Sequence, residues 1–124
     1  MKYHSTRDPE THVTAAQAIA RGLAADGGLF VPDSLPVLTM DEIRELADQD
    51  YRSRAAAIMA KFLPEFTREE LDDFTARAYG VNYDDPAIAP PHFVDDETAF
   101  LELWHGPTCA FKDMALQMLP LLLT

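Results

Sequence analysis

Near its C-terminus the chain reads LELWHGPTCAFKD over residues 101–113. The apolar start of this stretch predicts a strand, the Gly106-Pro107 pair predicts a turn, and the residues from Lys112 onward predict the start of a helix. Lys112 is the only Lys or Arg between Ala78 and Thr124, a range that also holds seven carboxylates. It is therefore not part of a basic surface and needs an explanation of its own.

The neighbours of Lys112 suit an amine that must lose its proton. A lysine in water has a pKa of about 10.4 and is rarely a nucleophile at neutral pH, but desolvation and the positive end of a helix dipole both lower that pKa. Ala110 and Phe111 can supply the desolvation, and a helix starting near Lys112 can supply the dipole. Such an amine can condense with an aldehyde. The alternative interpretation is an ordinary solvated lysine in a first helical turn.

Three blocks of the sequence, in the same order, resemble the threonine synthases. They are MKYHSTR at residues 1–7, GLAADGGLFVP at residues 22–32, and the lysine stretch itself. Within that stretch, PTCAFKD at residues 107–113 is similar to the wider group of fold-type-II pyridoxal-phosphate enzymes. Residues 33–98 match in helical character more than in identity. Cys109 stands where we expect another apolar residue, and we expect it to pack as a small side chain.

This resemblance implies that Lys112 is the catalytic residue and that it binds pyridoxal 5'-phosphate covalently. In threonine synthases this lysine acts as general base and acid while O-phospho-L-homoserine and water become L-threonine and phosphate. His105, Thr108 and Asp113 are expected to support the loop, because hydroxyls and carboxylates accept hydrogen bonds from free N–H groups at a helix start. His105 either faces the cofactor pocket or satisfies the turn. No His, Cys or Asp spacing indicates a metal site.

Composition restricts the class of protein. The 124 residues are 48% hydrophobic, which is sufficient for one domain with a core. A formal net charge of −11 argues against nucleic acid and against an anionic membrane surface, because phosphates demand clustered Lys and Arg. The single cysteine cannot form an intrachain disulfide, and no apolar segment reads as a signal or a membrane span. We therefore expect a cytoplasmic protein.

Helix starts are marked by a recurring pattern in the N-terminal part. Three threonines each precede a Gln or Glu by three positions, the spacing of a capping box: Thr14 with Gln17, Thr39 with Glu42, and Thr67 with Glu70. An amphipathic run follows each box, the first over about residues 15–24. The apolar stripes, such as Ile43 and Leu46 in the second run, are expected to lie in the core. Short strands are predicted at residues 2–6 and 29–31.

The sequence thus predicts a mixed chain, α+β at first and α/β at its end. Residues 1–80 form a small, mainly helical domain with short strands, and residues 81–98, rich in proline and acidic pairs, form a connector. Residues 99–124 begin the domain that binds pyridoxal phosphate, with the strand at 99–104 and the helix at 112–119 as the first strand-loop-helix unit of a fold-type-II enzyme. Because threonine synthases run to several hundred residues, we expect an N-terminal portion that is inactive alone.

The tail at residues 114–123 is apolar nearly all round, and Pro120 should kink or end its helix. We expect the chain either to self-associate through this tail or to pack the tail against its own helices. Two alternatives to the assigned activity remain open. One is a phospho-lyase related to threonine synthases, and the other is a stand-alone helical interaction module in which Lys112 is incidental.

Overall fold

The computed structural model describes residues 1–124, which form five short strands and six helices and so confirm the predicted mixture of both. In chain order the elements are β1 (Tyr3–Ser5), β2 (His12–Val13), α1 (Ala15–Arg21), β3 (Phe30–Pro32), α2 (Met40–Ala47), α3 (Tyr51–Phe62), α4 (Arg68–Ala78), β4 (Pro91–Phe93), β5 (Ala99–Leu101), α5 (Asp113–Leu116) and α6 (Leu119–Leu122). None of the helices has both the length and the apolar composition that a membrane span requires.

An antiparallel sheet at the N-terminus has β1 in its centre, with β2 on one side and β3 on the other. Tyr3 pairs with Val13 in β2 and with Pro32 in β3. The strands predicted near residues 2–6 and 29–31 are confirmed, although β3 continues to Pro32. This proline is tolerated because β3 is an edge strand. The sequence did not predict β2, which has only two residues and therefore no readable alternation.

All three predicted capping boxes are present at the starts of α1, α2 and α4. In the first, the Thr14 hydroxyl accepts a hydrogen bond from the Gln17 N–H at 3.2 Å, and Gln17 Oε1 accepts one from the Thr14 N–H at 3.1 Å. Helix α1 is shorter than predicted and ends at Arg21. It stops there because Gly22 adopts φ +71°, which turns the chain away while its N–H still reaches the Ala18 carbonyl.

The core lies between α3 and α4 and includes part of the C-terminal tail. Leu71 and Ala56 are completely buried, and Met118 packs into the same cluster. The hydroxyl of Tyr79 donates a hydrogen bond to the Met114 carbonyl at 2.7 Å, which joins the end of α4 to α5. The tail therefore packs against the chain's own helices, one of the two outcomes expected from the sequence.

Helix α2 does not contribute to the core, so the expectation for its apolar stripe is wrong. It has no buried residue, and Ile43 is 44% exposed. The α3 and α4 helices bury each other and leave α2 at the edge of the helical layer. An ion pair of 2.6 Å between Lys61 of α3 and Glu42 of α2 links the two helices there.

Residues 81–98, predicted as a connector, contain strand β4, which pairs antiparallel with β5. The Asp95 carboxylate closes the turn between them by accepting hydrogen bonds from the N–H groups of Glu97 and Thr98. Proline-rich composition is typical of a connector. Pro91 is nevertheless tolerated as the first residue of β4, because both strands of a two-stranded sheet are edge strands and no N–H is needed at that position. The predicted strand at residues 99–104 ends already at Leu101.

The helix predicted at residues 112–119 is divided into two short helices, α5 and α6. Helix α5 ends at Leu116, and α6 carries Pro120 in its first turn. Proline cannot donate an N–H to the Leu116 carbonyl, so the helix cannot continue through it, but proline fits the start of a new helix. The prediction that Pro120 would kink or end the helix is confirmed.

Candidate functional site

A tight loop carries the chain from β5 to Lys112, and Gly106 is its closest point of contact. A Cβ atom at Gly106 would lie 2.6 Å from the Asp113 Cβ and 2.7 Å from its Oδ2. Atoms cannot approach so closely, so any side chain at this position would displace Asp113. The glycine in the motif is therefore required by the packing of the loop against the start of α5.

Asp113 holds the loop through two hydrogen bonds. Its Oδ2 accepts from the Thr108 N–H at 2.8 Å, and its Oδ1 accepts from the Thr108 hydroxyl at 2.9 Å. The Asp113 side chain is only 1% exposed. Burial raises the pKa of the Tyr83 hydroxyl to about 12, and repulsion from the negative charge of Asp113 is the second cause. The carboxylate thus fixes the loop from inside the chain rather than facing solvent.

Cys109 lies at the bend of the loop, two residues after Pro107. It adopts φ +56°, and its N–H donates to the Gly106 carbonyl at 3.0 Å. The thiol is exposed, so the expectation that Cys109 packs as a small residue is wrong. A left-handed backbone at a non-glycine residue costs about 1 kcal/mol or more, which the surrounding hydrogen bonds must offset.

His105 ties the start of the loop to residue 84. Its Nδ1 lies 2.6 Å from Asp84 Oδ1 and its Nε2 lies 2.8 Å from Glu102 Oε2, while the Asp84 N–H donates to the His105 carbonyl at 3.0 Å. Carboxylates accept and do not donate, so the protonated imidazole, with an N–H at both ring positions, can donate to both partners. The hydrogen bonds to Glu102 and then Asp84 raise the pKa of His105. The structure places this ring within the turn, with 13% of its side chain exposed.

Lys112 occupies the N-cap position of α5, and its side chain makes no capping hydrogen bond. Its carbonyl accepts from the N–H groups of Ala115 and Leu116, so the backbone is fixed although the side chain is exposed. Phe111 is 64% exposed and does not cover the amine. The expectation that Ala110 and Phe111 desolvate Lys112 is therefore wrong for these 124 residues. Helix α5 has only four residues, so its dipole is weak.

An apolar groove of about 450 Å³ lies away from this loop, between the N-terminal sheet and α1. Tyr3, Ile19, Phe30 and Leu63 are among its walls, and Leu119 of α6 closes one side. None of the residues that the sequence singled out for the cofactor loop lines this groove. The groove is therefore separate from the loop that carries Lys112.

The structure also brings together His4, His12 and Asp33, which the sequence analysis did not connect. His4 Nδ1 lies 2.7 Å from Asp33 Oδ1, and His12 Nδ1 lies 3.0 Å from Asp33 Oδ2. The three residues are not adjacent in sequence, and they meet because β1 pairs with both β2 and β3. No spacing rule could have found them, since the signal is the register of the sheet.

Comparisons with known proteins agree along the whole chain. A family model described as "Threonine synthase N terminus" matches residues 2–79. The threonine synthase of Pseudomonas aeruginosa is 38% identical over 124 residues, which cover 99% of this chain and 26% of that protein. The threonine synthase of Schizosaccharomyces pombe is 36% identical over 121 residues, which cover 96% of this chain and 23% of the yeast protein.

A similar structure has also been solved. The crystal structure of PLP-bound threonine synthase from Brucella melitensis matches with a TM-score of 0.92 and 36% identity, over 99% of this chain and 26% of that one. This chain therefore spans about a quarter of the length of the relatives it matches.

Proposed function

The chain belongs to the threonine synthase family, and on that basis we propose that it is the N-terminal part of an enzyme that converts O-phospho-L-homoserine and water to L-threonine and phosphate with pyridoxal 5'-phosphate. The observation that carries this proposal is the match over 99% of the chain to a threonine synthase structure that contains PLP. We assign residues 1–80 to a helical N-terminal domain, 81–98 to a connecting segment, and 99–124 to the start of the cofactor-binding domain.

Lys112 is the residue that would hold the cofactor. The loop suits an aldehyde because it presents one primary amine that no side-chain hydrogen bond occupies, on a backbone that is fixed. Lys61, by comparison, is engaged in an ion pair with Glu42. When bound, pyridoxal phosphate supplies an electron sink that spreads negative charge from the substrate α-carbon into its ring. The Nζ of Lys112 would take the proton from that carbon and return it as the reaction proceeds.

The other loop residues would act by positioning Lys112. Asp113 and Thr108 fix the loop to the first turn of α5 through their two hydrogen bonds. Gly106 permits the close approach that those bonds require. His105 anchors the beginning of the same loop to Asp84 and Glu102. A fixed amine matters because a reacting group that is misplaced by about 1 Å can lose roughly a hundredfold in rate.

Exposure of Lys112 in these 124 residues leads us to propose that they are inactive alone. Phe111 and Trp104 beside the loop are also exposed, at 64% and 50%. In the longer protein, we propose that further segments cover these apolar side chains and exclude water from the amine. Such covering would supply the desolvation that Ala110 and Phe111 do not provide here.

The isolated chain would also self-associate, because part of the tail stays uncovered. Met118 is buried, yet Leu116, Leu119 and Leu123 are between 39% and 53% exposed. We expect sedimentation velocity to show a mass that rises with concentration. The variant Leu119→Glu places a charge in this surface and should shift the distribution to monomer. A wild-type chain that stays monomeric at all concentrations would contradict this proposal.

Phosphate release from O-phospho-L-homoserine by the full-length protein, with the amino-acid product identified, tests the proposed activity. We expect threonine as product and a loss of activity in Lys112→Ala, with Lys2→Ala as a matched control because Lys2 is another exposed lysine. Phosphate release with a product other than threonine would favour the related phospho-lyase. Full activity in Lys112→Ala would overturn the assignment of this lysine, and absence of any turnover would favour the interaction module.

A further inference from the structure

The N-terminal sheet gathers two imidazoles and a carboxylate at one place on its surface. His4 in β1 and His12 in β2 are cross-strand partners, and Asp33 directly follows β3 on the other side of β1. The backbone holds Asp33 in register, because its N–H donates to the Lys2 carbonyl at 2.9 Å. Strands β1 and β2 and the residue that follows β3 thus contribute one side chain each to a single cluster.

The atoms that face one another in this cluster are all metal-ligating atoms. One Nδ1 of each histidine and one Asp33 oxygen lie within 4.8 Å of one another. Each Nδ1 is also within hydrogen-bond distance of a different oxygen of Asp33, at 2.7 Å for His4 and 3.0 Å for His12. The one carboxylate thus lies between the two imidazoles, within reach of both.

Two histidines and one carboxylate form a ligand set that suits divalent transition metals. Zn²⁺ sites with three protein ligands commonly use such sets and complete their coordination with water. The side chains of His4, His12 and Asp33 are 25%, 42% and 33% exposed, which leaves room for water as the remaining ligand. The formal net charge of −11 also raises the local concentration of cations around the chain.

We propose that His4, His12 and Asp33 bind a divalent transition-metal ion, with Zn²⁺ as the best-suited ion, through the two Nδ1 atoms and an Asp33 oxygen. Tetrahedral Zn²⁺ with bonds of about 2.0–2.1 Å needs its ligand atoms roughly 3.3 Å apart. The present Nδ1–Oδ distances of 2.7 Å for His4 and 3.0 Å for His12 are already close to that spacing. When neutral imidazoles bind, the proton on each Nδ1 moves to Nε2, and the metal replaces the two hydrogen bonds to Asp33.

The expected consequence is structural, because the ion would join three strands that are otherwise held by very few backbone pairs. Strand β2 has two residues and pairs only with β1. An ion that binds the folded chain raises its melting temperature by about 5–10 °C at a hundredfold excess over the dissociation constant. The cluster contains none of the residues assigned to the cofactor loop, so this site does not depend on the proposed enzymatic role.

Calorimetric titration of the untagged chain with Zn²⁺ tests the site. We expect one ion per chain, with affinity at least about tenfold weaker in His12→Gln and in Asp33→Asn, because even changes outside the ligand set weaken metal binding by roughly 10–100-fold. His92→Gln is the control, since His92 is an exposed histidine of the distant β4 strand. Equal affinity in wild type and His12→Gln, or an equal loss in His92→Gln, would overturn the proposal.

An NMR measurement on the unmodified chain keeps the test independent of whether the variants fold. Zn²⁺ is diamagnetic, so imidazole resonances of bound histidines shift without broadening beyond detection. We expect the ring signals of His4 and His12 to shift with a stoichiometry of one, while those of His92 and His105 stay in place. Shifts confined to His92 or His105 would assign the ion to another site and refute this one.

Discussion

Asp113 is adjacent to Lys112 and fixes the loop that carries the lysine. The sequence placed Asp113 beside the lysine and suggested that it orders the loop or caps the helix. What the sequence could not supply is the partner: Thr108 lies five positions earlier, and both oxygens of the carboxylate are directed at it. This contact requires a glycine at position 106 and a left-handed backbone at position 109. Neither feature belongs to a helix or a strand, so no periodic pattern in the sequence predicts the contact.

Replacement of Asp113 by alanine should destabilise the chain. Alanine removes both carboxylate oxygens, so the Thr108 N–H and hydroxyl lose their acceptors in the loop, at a cost of about 1–3 kcal/mol. Urea denaturation of wild type and Asp113→Ala measures the difference. Asp72→Ala is the control, because Asp72 forms an exposed pair with Arg68 that is worth at most about 0.5 kcal/mol. Equal stability of the two variants would contradict the role of Asp113.

His105 should make stability depend on pH. Its pKa in the folded chain is raised by Glu102 and Asp84, so the contribution is fully present below the unfolded value of about 6.5 and is lost as pH rises through the raised pKa. We expect the stability difference between wild type and His105→Gln to shrink over that interval. Glu102→Gln removes the first of the two carboxylates that raise this pKa, so it should narrow the pH interval over which the difference shrinks. A difference that is constant with pH would refute this account.

At the scale of elements, helix starts were predicted far better than strands. A capping box is a local device, so Thr14, Thr39 and Thr67 could be identified without knowledge of the fold. Strand β4 was missed because its proline and its acidic flank are typical of connectors, and only its pairing with β5 makes it a strand. The exposure of the α2 stripe was missed for a related reason. A helix face is buried only where another element packs against it, and α3 and α4 pack against each other.

Removal of two equivalent caps should therefore give different results. Thr67→Ala uncaps α4, which carries the buried Leu71, and should lower the free energy of unfolding by about 1 kcal/mol. Thr39→Ala uncaps α2, which has no fully buried residue, and should mainly speed amide exchange within that helix. Denaturation measures the first effect and hydrogen exchange the second. A global loss in Thr39→Ala as large as that in Thr67→Ala would contradict the peripheral position of α2.

For the whole molecule, the sequence indicated the family and the mixture of helix and strand, but not how the distant segments meet. The tail illustrates the limit: its apolar composition allowed either self-association or internal packing. The structure places Met118 in the core with Leu71 and Tyr79. The cluster of His4, His12 and Asp33 is a second example, since sheet register alone creates it.

Truncation of Met118 tests whether the tail is part of the folded unit. Met118 is 3% exposed, so Met118→Ala should cost about 2–4 kcal/mol through lost burial and the cavity that remains. Leu116→Ala is the control in the same tail, because Leu116 is 51% exposed and should cost less than about 1 kcal/mol. Similar costs for both would mean that the tail does not pack in the core.

The most direct test of the central claim is to reduce the full-length protein with borohydride in the presence of pyridoxal 5'-phosphate and to locate the label by peptide mass spectrometry. The chain presents Lys112 on a loop fixed by Asp113 and His105, so we predict a pyridoxyl group on Lys112. Label on Lys2 or Lys61 instead, or no label at all, would contradict the assignment of Lys112 as the residue that holds the cofactor.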